Sequence, residues 1–256
     1  MSDFRKKYAD LFQFHEELRG ILEPILNKHP EPTNPKQGFL LYALVKSHKT
    51  QAAILLLSER GFGQDAGILS RSIFELAITA LYIVKDNTGK IAERFFDYDL
   101  IMRANMYNAV SKDTKYKYEL KTKDPTGVII EDVIKEAKKV KEKYQSIGSL
   151  RWSDENFKEM AEAVGRSDTY KTAYRLQCNL SHPNPRNTID YFTESEGALE
   201  VNAGPDNKWI LESLVATFDF FFCVINAWNE EFEFKLKPAL DDLSKRFSAK
   251  MKEIDK

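Results

Sequence analysis

Residues 64–85 read QDAGILSRSIFELAITALYIVK, and the reading of this stretch decides the fold. Gln64 or Asp65 opens a helix that runs to about Lys85, and no proline interrupts it. Between Ile68 and Leu76 the helix is apolar on nearly every side, which places it at the centre of a bundle rather than on a surface. Two charges, Arg71 and Glu75, travel into that centre. Four residues apart, they share a face, and breaking such a pair once buried costs on the order of 3–5 kcal/mol. They pair with each other and with a neighbouring helix, or they line a pocket.

Outward from this helix the chain repeats the three- and four-residue apolar spacing of helices. A first helix covers about 3–28, with Pro24 kinking its end. Pro30, Pro32 and Pro35 mark a rigid connector. Further helices span about 38–58, 90–110, 128–145, 154–164, 167–181 and 208–237. Ser153-Asp154-Glu155 supplies an N-terminal cap for the sixth, and Pro183 stops the seventh at His182. Residues 111–127 have no helical period and read as an exposed loop. Short β-like runs around Glu-Ser-Glu-Gly predict a small hairpin within 188–201. The expected architecture is all-α: a bundle of about seven or eight helices with one small β-hairpin. It forms one domain over 1–256: an N-terminal helix and connector (1–37), a core bundle (38–237) and a charged helical tail (238–256).

Composition narrows the function classes. With 38 basic and 39 acidic residues the formal net charge is −1, so any nucleic-acid contact must come from a local patch. Cys178 and Cys223 sit in apolar helical patterns and read as free thiols of a reducing compartment. No Cys/His ligand cluster predicts a metal, and no cofactor is expected. Gly-x-Gly-x-x-Gly, Walker, Gly-x-Ser-x-Gly and His-Glu-x-x-His motifs are absent. The N-terminus is charged and amphipathic, and the apolar run Leu214–Trp228 is short for a bilayer. A cytoplasmic protein without a membrane segment is expected.

The chemistry-bearing residues gather in 170–182. On a helix, Arg175, Asn179 and His182 fall along one face, with Tyr174, Cys178 and Ser181 beside them. The carbonyls of a helix C-terminus favour a protonated imidazole at His182. A histidine titrating near neutrality beside a permanent cation suits acid–base work on a phosphodiester: it accepts a ribose 2′-hydroxyl proton while the guanidinium neutralises charge at phosphorus. The plainer alternative is that Arg175 pairs with a core carboxylate and His182 caps its own helix.

Arg175-x6-His182 at the end of a helix resembles the HEPN superfamily, whose active members are commonly metal-independent ribonucleases, often toxins or phage-defence effectors, that work as dimers. The six-residue gap is the longest in that pattern, and Leu176 stands where members carry a polar residue. The chain also resembles a bacterial all-helical family of unknown function with an Arg-Ser-x-x-Glu helix, here Arg71-Ser72-Ile73-Phe74-Glu75, and a later Tyr/Ser/His-Pro segment, here Tyr174, Ser181, His182 and Pro183. The resemblance covers about 38–230. It implies catalytic Arg175 and His182, supported by Arg71, Glu75, Tyr174, Asn179 and Ser181, with RNA as substrate or ligand, a homodimer, and an antitoxin or defence-system partner. The reading from another class is a non-enzymatic interaction or small-ligand-sensing protein whose polar motifs only knit the core.

Two surfaces complete the expectations. Ten lysines between 112 and 144 face seven acids, and Lys115, Lys117, Lys121 and Lys123 alternate with Tyr116 and Tyr118 as on single-strand-binding surfaces, although a solvated loop has the same composition. The run Phe218, Phe220, Phe221, Phe222, Trp228, Phe232 and Phe234 is denser than one helix face hides, which predicts core packing plus a contact between copies.

Overall fold

A computed structural model describes residues 3–28, 30–112, 128–145, 151–183, 185–195 and 197–254. Among them the fold is all-α, with nine helices of at least seven residues. In chain order the elements are α1 Asp3–Lys7, α2 Ala9–Leu26, α3 Pro35–Glu59, α4 Gly63–Lys85, α5 Lys90–Lys112, α6 Ile130–Tyr144, α7 Phe157–Ala163 and α8 Ser167–Thr169. A π-helical turn, Tyr170–Tyr174, leads into α9 Arg175–Ser181; α10 Pro185–Thr188, β1 Phe192–Ser195, β2 Ala198–Val201, α11 Ile210–Phe232 and α12 Lys237–Ile254 follow. β1 and β2 are antiparallel, Phe192 opposite Val201.

Several boundaries differ from expectation for local reasons. The first helix breaks at Tyr8, which leaves helical geometry, yet continues through Pro24 to Leu26. α3 starts at Pro35, three residues early, because a proline at the first helical position gives up only an orphan N–H and Asn34 caps it by accepting from the Gln37 N–H at 2.9 Å. α7 starts at Phe157, late, because Asn156 rather than Ser153 or Asp154 is its cap: Asn156 Oδ1 accepts from the Lys158 and Glu159 N–H groups and Glu159 reaches back to the Asn156 N–H, a reciprocal capping box. The tail beyond Pro238 is a helix of its own, so the count exceeds eight.

The chain divides into two compact units: Met1–Lys85 together with Met160–Lys256, and Asp86–Glu159. In the first, α3, α4 and α11 pack against one another as the core. By length and composition α4 and α11 could each cross a membrane; here they are core helices. Gly63 lets α4 start against α11: a Cβ there would lie 2.2 Å from the Lys208 carbonyl oxygen and 2.6 Å from the Ile210 nitrogen. α2 and α12 cover the outer side of α11, where Phe218 stacks on Phe247 at 3.9 Å and Phe14 meets both edge-on. Phe220, Phe221 and Trp228 are buried; Phe234 stacks on Trp228 and Phe232 lies tilted against it. Much of the aromatic run therefore packs within its own chain, each buried ring stabilising by about 2–3 kcal/mol, while Phe222, Phe232 and Phe234 stay partly exposed.

In the second unit α5 packs on α6. Asp97 accepts from Lys143 and from the Tyr144 hydroxyl, both at 2.7 Å, and the buried Arg94 donates to Asp154 at 2.9 Å. Phe95 meets Trp152 edge-on.

Candidate functional site

The end of the π-helical turn and α9 dock on α4 through Tyr174, Gln177 and Ser181, spaced three and four apart. The Tyr174 hydroxyl donates to Glu75 Oε1 at 3.0 Å, and Arg71 Nε donates to the same oxygen at 3.0 Å. Arg71 Nη1 donates to Ser181 Oγ at 2.8 Å, and that hydroxyl passes its own proton to the Cys178 carbonyl at 2.9 Å. Gln177 donates at 3.2 Å to Ser70, the residue before Arg71 on α4. The Arg71 guanidinium also lies over the Tyr174 ring, 5.4 Å from its centre, a cation–π contact. Burial, then the Glu75 carboxylate, pushes the Tyr174 hydroxyl well above the usual phenol range, so it remains a donor. The α4 and α9 motifs thus meet in space, as their charges required.

The burial expected of the pair is corrected. The Arg71 and Glu75 side chains retain 26% and 42% of their exposure, because they lie at the rim of α4 where α9 crosses it. Water screens them, and an ion pair of this kind contributes about 1 kcal/mol rather than the larger penalty of an enclosed one.

Arg175, Asn179 and His182 belong to the outward side of the same segment and are all exposed. Arg175 does not pair with a core carboxylate, and among the described residues neither the Arg175 nor the His182 side chain has a hydrogen-bond or ion-pair partner. His182 is the C-cap of α9 with extended backbone. The carbonyls of Asn179 and His182 accept from Asn187 Nδ2 at 2.5 and 3.4 Å, so Asn187, not the imidazole, caps this end. Seven residues put Arg175 and His182 roughly 10 Å apart along the axis, a span that an arginine and a histidine can close on one phosphate between them.

The cluster grips the residue before each of these two. Tyr174 precedes Arg175 and is held by Glu75; Ser181 precedes His182 and is held by Arg71. The π-helical turn ends at Tyr174, where Tyr170 stacks on it at 5.2 Å. The extra residue of such a turn rotates the face that follows, and π-turns recur at functional sites.

The chain beyond His182 is fixed as well. Asp190 Oδ2 accepts from Gln64 at 2.9 Å and from the Trp209 indole at 2.8 Å, and Tyr191 donates to Gln64 at 2.5 Å. A cleft of about 200 Å³ opens there, lined by Phe62, Gln64, Asp65, Asp190, Tyr191 and Asp206 among others. Elsewhere Arg166 holds Asp219 and approaches the buried Cys223 sulfur at 2.7 Å; burial, then Asp219, pushes that thiol up to about 12. Lys115, Lys117, Lys121 and Lys123 lie outside the described residues. Among those described, no three His, Cys, Asp or Glu side chains are grouped so as to hold a metal.

Residues 37–199 match a family of unknown function (DUF5677). The match contains both halves of the α4–α9 cluster and stops short of α11. No curated protein and no solved structure matches the chain.

Proposed function

The chain belongs to the DUF5677 family, whose function is unknown, and from the outward face of α9 we propose that it is a HEPN-like effector that binds and cleaves RNA, a cytoplasmic homodimer of toxin or defence type. One observation carries the reading: Arg175 and His182 are exposed, share an outward face and have no partner among the described residues, while the residue before each is clamped to α4. Structural charges find partners; exposed side chains on an immobilised frame are available to a ligand.

In this reading the His182 imidazole takes the 2′-hydroxyl proton of a ribose. The 2′-oxygen then attacks the adjacent phosphorus, the 5′-oxygen leaves and takes up a proton, and Arg175 neutralises charge on the non-bridging oxygens. Asn179, on the same face, supplies a hydrogen bond to the sugar or phosphate. Arg71, Glu75, Tyr174 and Ser181 act through position alone.

The test is incubation of the purified chain with mixed RNAs, with and without EDTA. Cleavage in both is expected, and His182→Ala should slow it by roughly 10²–10⁴. Arg175→Ala should slow it comparably and leave the melting temperature in place, since Arg175 holds nothing. Intact RNA with the wild type, or equal cutting by His182→Ala, would refute the proposal.

The closure of the Arg71–Glu75–Tyr174–Ser181 cluster on itself favours one other reading, a non-enzymatic interaction protein whose polar motifs only dock α9. On that reading Arg175→Ala changes neither stability nor any RNA.

A further inference from the structure

α3 turns Phe39, Ala43, Leu44, Ser47, Gln51 and Ile54 into the core. Directly opposite, where a surface helix carries polar residues, it presents Tyr42, Val45, Lys49, Ala52 and Leu56. Tyr42, Val45 and Leu56 are 52%, 43% and 64% exposed. A helix apolar on both sides, with one side open to water, is incomplete.

The spacing and the charge of this stripe say what completes it. Its intervals are three, four, three and four residues, the seam along which one helix packs on another, and Ala52 at the seam allows close approach. Its exposed charges have one sign. Among the described residues Lys46, Lys49 and Arg60 make no ion pair.

That charge pattern argues against a second copy. Antiparallel self-pairing that sets Tyr42 on Leu56 puts Lys49 on Lys49, and parallel pairing stacks Lys46 on Lys46 as well; like charges at helix-contact positions are destabilising. It also argues against a lipid surface, because Lys46, Lys49 and Arg60 fall short of the basic cluster that such adsorption needs. We propose that the outer face of α3 is a docking surface for an amphipathic helix of another protein, apolar along its own seam and flanked by Glu or Asp that pair with Lys46 and Lys49. The surface is separate from Arg175 and His182, so the inference does not depend on the RNA reading.

The test uses the full chain and a designed helical peptide of three heptads with leucine seams and glutamate flanks, beside the same peptide with lysine flanks. The glutamate peptide should bind at least about tenfold tighter by calorimetry, the factor that corresponds to 1.4 kcal/mol. Lys46→Glu with Lys49→Glu should reverse the preference. Val45→Ser with Leu56→Ser should abolish binding and leave the melting temperature unchanged. Equal affinity for both peptides, or no binding of either, overturns the proposal, as does binding to anionic vesicles in place of the glutamate peptide. A sharp loss of stability in Val45→Ser with Leu56→Ser also overturns it, because the chain itself would then be what covers the stripe.

Discussion

His15 should make this protein lose stability between pH 6.5 and 4, before most carboxylates protonate. The imidazole is 1% exposed, wedged between α2, α3 and α11. Nε2 donates to the Leu214 carbonyl at 3.0 Å, which a carbonyl can only accept, so in the neutral ring Nδ1 accepts from Gln51 Nε2 at 2.8 Å. A second proton would point at an amide NH₂ group, with the Arg19 guanidinium nearby. Burial, opposed by the Leu214 bond and reinforced by Arg19, lowers its pKa from 6.5 to about 4. Between those values the unfolded chain binds a proton that the folded chain refuses, so unfolding free energy rises with pH across the window and falls as the solution is acidified. The difference corresponds to about 3 kcal/mol, a large share of the 5–15 kcal/mol typical of a folded domain. Urea midpoints of wild type and His15→Gln, measured from pH 7 to 4, isolate it. Glu17, held below its ordinary value by Arg246, and Asp97, where burial is outweighed by Lys143 and Tyr144 so that its carboxyl also falls below the ordinary value, withdraw their contributions at lower pH and equally in both chains. The advantage of the wild type should shrink by about 3 kcal/mol by pH 4. A constant difference, or a native-state His15 resonance titrating near 6.5, would show that the ring is not held neutral.

Other consequences follow from single contacts. Tyr174→Phe removes one donor from Glu75 and should cost about 1 kcal/mol, a fall of about 2–4 °C in Tm by calorimetry. Gly63→Ala drives a methyl group into the α11 backbone and should cost about 3 kcal/mol or more, seen as poor soluble yield or a sharply lower urea midpoint. Iodoacetamide at pH 8 should alkylate Cys178 and spare Cys223, whose thiol is buried and pushed up to about 12; mass spectrometry of the native chain reads the ratio.

The all-α class was legible because apolar period and proline placement act locally. So was the α4–α9 meeting: four-residue spacing put Arg71 and Glu75 on one face, and the cost of unpaired charge demanded a neighbour such as Tyr174. Exposure at the rim was not legible, since it depends on where α9 crosses α4. The π-helical turn left no pattern either, for its extra residue is accommodated by packing Tyr170 on Tyr174 rather than by composition. His15 sat unremarked within an amphipathic stripe because its partners, Gln51 and Leu214, are 36 and 199 residues away. The Gln64–Asp190–Trp209 bonds were hidden for the same reason.

The first compact unit is built from both ends of the chain, with residues 86–159 interposed, and that order matters during synthesis. α3 and α4 leave the ribosome long before α11, the helix that completes their core. Until about residue 232 has emerged, the faces that they turn to α11 have no native cover, whereas the interposed unit has all of its own sequence available and can fold while they wait. Chaperones should therefore meet this protein chiefly through α3 and α4. Truncations anywhere before α11 should yield chains that are captured or degraded, although most of the residues have already been made.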